Sequence, residues 1–106
     1  MLNIKRYHQE VSRLLERILS KQKNKFKKIA TEFFNTYKKD GMIYIFGTGH
    51  SHMLAEEGHF RAGGFAPICP ILNSSLMLHE DTTFSSVLER TEGVATKLIN
   101  KYNITE

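Results

Sequence analysis

Residues 42–51 constrain the fold more than any other stretch, because Met42-Ile-Tyr-Ile-Phe46 runs without a polar break into Gly47-Thr-Gly-His-Ser51. Five successive apolar residues, β-branched and aromatic among them, suit a strand buried on both faces in a parallel sheet. A glycine-rich turn then leads into a segment with helical spacing, expected over residues 52–62 and ended by Gly63-Gly64. Residues 66–72 read as a second strand, weakened by Pro67 and Pro70, since proline cannot donate to a ladder and favours edges. A turn over residues 73–81 precedes a last helix over residues 83–102, with Gly93 as its weak point. Strand, turn, helix and strand make one βα unit with its second strand, and the right-handed crossover sets the two strands parallel. The fold class is therefore α/β. Two strands alone make a thin sheet with open edges, so the chain reads as part of a larger sheet, completed by another chain or by a longer protein.

The N-terminal part has a different character. Tyr7, Val11, Leu14, Leu15, Ile18 and Leu19 mark a helix over residues 2–20, and Phe26, Ile29, Ala30, Phe33, Phe34 and Tyr37 a second over residues 24–39. The polar run 21–25 reads as a turn or kink between them, and Asp40-Gly41 as the stop. This gives a helical pair over residues 1–40 and an α/β portion over residues 41–106. Residues 1–40 hold eleven Lys/Arg against four Asp/Glu, and residues 41–106 hold four against seven, so +7 and −3 make the net +4. Such a basic arm raises nucleic-acid binding, but apolar residues at helical spacing favour two amphipathic helices with lysine-rich outer faces. The chain holds one cysteine, Cys69, too few for an internal disulfide or a cysteine-based zinc site. With no apolar run long enough to span a bilayer and no secretory leader at its start, the expected setting is the cytoplasm, without membrane or nucleic-acid partners.

In the turn, Gly47 and Gly49 allow backbone angles and close approach that a side chain would block, so that N–H groups can converge on an anion. Ser51 can cap the following helix or donate its hydroxyl to a phosphate oxygen. An ordinary tight turn with Ser51 as cap fits the same five residues. It is neither a dinucleotide fingerprint nor a P-loop. On a helical wheel Leu54, Ala55, Gly58 and Ala62 form a small-residue face towards the sheet, while Met53 and Phe60 point to a second covering surface. His52, Glu56 and His59 lie in one stripe between the faces, and Glu57 on the other flank. That stripe is open to three readings: a solvated face, a carboxylate and histidines for proton transfer, or a loose metal-ligand spacing.

The ordered set Phe46-Gly-Thr-Gly-His-Ser-His-Met-Leu-Ala-Glu-Glu57, Phe60-Arg-Ala-Gly-Gly64 and Pro70-Ile-Leu72 resembles the start of a sugar isomerase (SIS) domain. It is most similar to an uncharacterised bacterial group related to phosphoheptose isomerases, a likeness extended by Leu76-Met-Leu-His-Glu80 and Leu88-Glu-Arg-Thr-Glu-Gly93. The resemblance implies a doubly wound parallel sheet that binds a phosphorylated sugar at the strands' C-terminal ends, in a homodimer or higher oligomer. It matches Gly47, Gly49 and Ser51 to the first sugar-phosphate loop; Thr48 and His50 between them are expected to bind the phosphosugar as well, and no cofactor or metal is expected. It further implies an aldose–ketose phosphosugar isomerase when complete; the alternative is a non-catalytic sugar-phosphate sensor or dimerisation module. Phosphoheptose isomerases place a catalytic glutamate about ten residues after the loop serine, where this chain has Arg61. Glu56 or Glu57 would then stand in, with His79 reaching the sugar from its turn. The family's second, serine-rich loop has no counterpart before the chain stops at Asn103-Ile-Thr-Glu106, so the expectation is an incomplete domain, inactive alone.

Overall fold

The computed structural model describes residues 3–104. The chain divides into two units, Met1–Lys39 and Asp40–Glu106. The first is one helix, α1 (Ile4–Lys38), with the Asn3 side chain accepting from the Lys5 N–H at its start. The break expected at 21–25 is absent. Lysine and glutamine are good helix formers and no glycine or proline interrupts the run, so the two predicted helices are one. The start expected at residue 2 lies outside the described residues. At the other end the left-handed residue is Asp40, with φ 54°, and not Gly41. Aspartate is among the side chains that tolerate this region.

The second unit opens with β1 (Ile43–Phe46), followed by a 3-10 turn over Gly49–Ser51 and helix α2 (His52–Gly58). Strand β2 (Ile68–Ile71) pairs parallel with β1 in the register Ile43↔Ile68, Tyr44↔Cys69, Ile45↔Pro70 and Phe46↔Ile71. The expected crossover is thus present, in a mixed α/β arrangement with a two-stranded parallel sheet. Pro70 sits inside the ladder, on a strand whose far edge is unpaired among the described residues. A 3-10 turn over Ser74–Leu76 leads to α3 (Thr82–Leu88), whose start is capped by Asp81 accepting from the Phe84 N–H. Then come α4 (Val94–Ile99) and a 3-10 turn over Asn100–Tyr102.

The last helix predicted over residues 83–102 is therefore two. Gly93 takes φ 82° at the break, which a helix cannot contain. Helix α2 also ends four residues earlier than expected: His59 is extended, and its Nδ1–H donates to the Ile68 carbonyl at 3.2 Å. Phe60 follows at φ 45°. The core gathers on the sheet, with Ala55 of α2, Ile68 and Ile71 of β2, Leu76, Met77 and Leu98 all buried. Ala55 is fully enclosed, and a Cβ on Gly58 would come within 3.3 Å of Ile68 Cγ2, so α2 lies close on the strands as its small residues predicted. The rest of that face is corrected. Leu54, within the helix, is 71% exposed, and Ala62 lies beyond the helix because the chain leaves the helical path at Gly58. Phe60, expected under a second surface, is 98% exposed. Nor is β1 buried on both faces: it is half-buried and Phe46 is exposed.

Candidate functional site

The turn after β1 needs each glycine for a different physical reason. A Cβ on Gly47 would stand 2.6–2.8 Å from the backbone carbon and oxygen of Ser51 and the nitrogen of His52, a distance real side chains do not reach. A Cβ on Gly49 would meet no more than an ordinary contact, but the residue takes φ 53°. The turn is closed by the Ser51 N–H donating to the Thr48 carbonyl at 3.0 Å. Gly47, Thr48 and Gly49 are half-buried, while His50 and Ser51 are exposed. Ser51 makes no capping bond to α2, so the cap expected of an ordinary tight turn is not formed.

Three segments reach this turn. The His52 ring, whose side chain is 13% exposed, donates from Nδ1 to the Gly49 carbonyl, and its Nε2 lies 3.5 Å from Glu56 Oε2. That second contact is an ion pair only when both ring nitrogens carry protons. Glu56 is thereby linked to the turn through His52. From the opposite direction along the chain, Thr48 Oγ1 donates to Glu89 Oε2 at 3.2 Å, across a separation of 41 residues. The remaining Glu89 oxygen, Oε1, is 3.8 Å from Arg90 Nη2. Third, Leu78 comes within 4.0 Å of where a Gly49 Cβ would stand, so the turn carrying His79 approaches from residues 77–80.

The other predicted residues are placed differently. Glu57 forms an exposed ion pair with Arg61, which lies beyond the end of α2 at the position where the resemblance to phosphoheptose isomerases would place a glutamate. His79 is exposed beside Leu78. His59, grouped with His52 and Glu56 by helical spacing, is diverted to the β2 backbone and fixes the loop after α2. Among the described residues no three of His, Cys, Asp or Glu are grouped to hold a metal ion, and no helix is long and apolar enough to cross a membrane. Glu89 is the residue that sequence reasoning missed. It lies in the Leu88–Gly93 run already similar to the SIS group, but no local spacing ties it to Thr48.

A parallel βαβ unit with a glycine turn at the end of its first strand defines an α/β domain of the kind that binds small ligands at its strand ends. Residues 6–106 match the family described as the SIS domain, and the chain belongs to it. The match takes in α1 as well as the α/β unit. The chain is 42% identical over 101 residues to the UPF0309 protein of Geobacillus kaustophilus, covering 95% of this chain and 40% of that protein. It is 50% identical over 78 residues to a UPF0309 protein of Listeria monocytogenes serotype 4b, covering 74% and 32%. With the UPF0309 protein of Brucella ovis it shares 39% over 101 residues, covering 95% and 42%. The chain thus spans about two fifths of the length of the first of these relatives.

Proposed function

We propose that residues 41–106 are the first part of a phosphosugar-binding domain, with the phosphate received by the turn of residues 47–51. The observation that carries this reading is the turn itself. Gly47 is crowded by backbone and Gly49 is left-handed, so both glycines serve the turn, while the exposed Ser51 hydroxyl is not spent on a cap. Membership of the SIS family supports a sugar as the body of the ligand. Glu56, held through His52, is the best placed of the predicted carboxylates for proton transfer between adjacent carbons of an open-chain sugar, the chemistry of an aldose–ketose isomerase. Glu57 is the weaker candidate because Arg61 already neutralises it. His79 approaches on its turn and would meet the sugar rather than the phosphate. Titration with a series of sugar phosphates tests the reading. Ser51→Ala should weaken binding about ten- to a hundredfold, the loss of one charge-assisted hydrogen bond. Unchanged affinity would remove Ser51 from the site.

A specific observation favours a second reading, assembly with further copies of this chain. Helix α1 has no buried residue, and Tyr7, Val11, Leu15, Ile18, Phe26 and Ile29 are exposed along one stripe. At 1.5 Å per residue such a helix is roughly 50 Å long, enough to cover the ~800 Å² that each partner gives a stable interface. Light scattering should then show a dimer or larger species, and a well-folded monomer at high micromolar concentration would refute assembly.

A further inference from the structure

The geometry points to Glu89 as the residue that reads a hydroxyl group of the ligand. This rests on the turn being the anion site. Glu89 reaches the turn from the end of α3, one residue past the helix, and takes the Thr48 hydroxyl as a donor at 3.2 Å. Thr48 is the residue before the 3-10 turn, yet its side chain forms no cap there, so its hydroxyl is committed to Glu89. A carboxylate beside a bound phosphate repels it, and Glu89 therefore cannot add to phosphate affinity. What it can do is accept from neutral donors next to the phosphate. An ionised carboxylate has about four acceptor positions, and Thr48 occupies one of them. Arg90, 3.8 Å from Oε1, is beyond hydrogen-bond length and 75% exposed, so acceptor capacity remains on that oxygen as well. The ligand class that satisfies turn and carboxylate together is a polyhydroxylated phosphate ester, its phosphate on residues 47–51 and an adjacent O–H donating to Glu89. Held by Thr48, the carboxylate is oriented before the ligand arrives, which lowers the ordering cost of the contact.

Two probes separate this contact from the turn itself: inorganic phosphate, which needs only the turn, and sorbitol 6-phosphate, which adds a polyol and has no carbonyl group to isomerise. The full chain should bind sorbitol 6-phosphate at least tenfold more tightly than phosphate. Glu89→Gln should remove most of that advantage, about ten- to a hundredfold, while leaving phosphate binding unchanged or slightly tighter. Thr48→Val should erode the same preference by a smaller factor. If Glu89→Gln fails to fold, Glu89→Asp keeps the charge while shortening the side chain, and should lower affinity for the polyol phosphate alone. Equal losses for both probes would make Glu89 a structural tie between α3 and the turn and overturn the inference. So would a wild-type chain that binds phosphate with no preference for the polyol ester. Binding of neither probe would instead overturn the reading of the turn, and this inference with it.

Discussion

Gly47 and Gly49 stand two positions apart, and alanine at each would meet a different obstacle. At Gly47 the added methyl collides with the backbone of Ser51 and His52, which cannot move without opening the turn. At Gly49 nothing collides, and the cost is that of a left-handed alanine. Gly47→Ala should therefore cost ~2–4 kcal/mol of stability, and Gly49→Ala ~1–2 kcal/mol, as read from urea unfolding of the two variants. The reverse order would mean that the turn is held differently. At this scale the sequence was legible in part. Two glycines after an apolar strand announce a tight turn, but only coordinates separate crowding from backbone sign. Glu56 was visible because His52 is four residues away on the same helix. Glu89 was invisible because its partner Thr48 lies 41 residues upstream.

Among the elements, the strands were the easiest to read: the apolar run and the residues around Pro70 fell within two residues of β1 and β2. Helix ends were harder, and for nameable reasons. The spacing of Tyr7 to Leu19 and of Phe26 to Tyr37 is one continuous stripe, and the lysines between them are polar without being helix breakers. Gly58 rather than Gly63 ends α2, because His59 finds a carbonyl on β2, a tertiary bond that periodicity cannot register. Two surfaces are candidates for the proposed assembly, α1 and the loop bearing Phe60. A Phe26→Asp and Ile29→Asp double variant places two charges in the α1 stripe, and Phe60→Asp places one in the loop. Whichever variant moves an oligomer towards monomer identifies the buried face, since a charge there would be unpaired. We expect the α1 variant to do so, with Phe60→Asp having the smaller effect. The opposite ranking in light scattering would move the interface to the loop. Phe60→Asp is safe for folding, because the side chain it replaces is 98% exposed.

For the molecule as a whole, the α/β class and the SIS family follow from the order of a few motifs, each weak alone. Phe46 to Glu57, Phe60 to Gly64 and Leu88 to Gly93 match the family only as a series, and the family match then extends across α1 as well. What the series could not convey is which side chains meet at the turn, since that depends on how α3 and the 77–80 turn fold back towards residues 47–51. As the proposed phosphate site, the turn would offer about two to four hydrogen bonds against an association cost of ~4–15 kcal/mol, so binding by this chain should be weak, in the millimolar range. Weak binding suits one measurement in particular, the titration of ¹⁵N-labelled chain with inorganic phosphate followed by amide chemical shifts. A basic surface elsewhere competes for the anion, the lysines of the 21–28 region of α1, and the same spectra report on both. We expect saturable shifts at the amides of residues 47–52, lost in the Gly47→Ala variant, with only slight, salt-screened changes along α1. Shifts concentrated on Lys21 to Lys28, with the amides of residues 47–52 unmoved, would contradict an anion site at the turn.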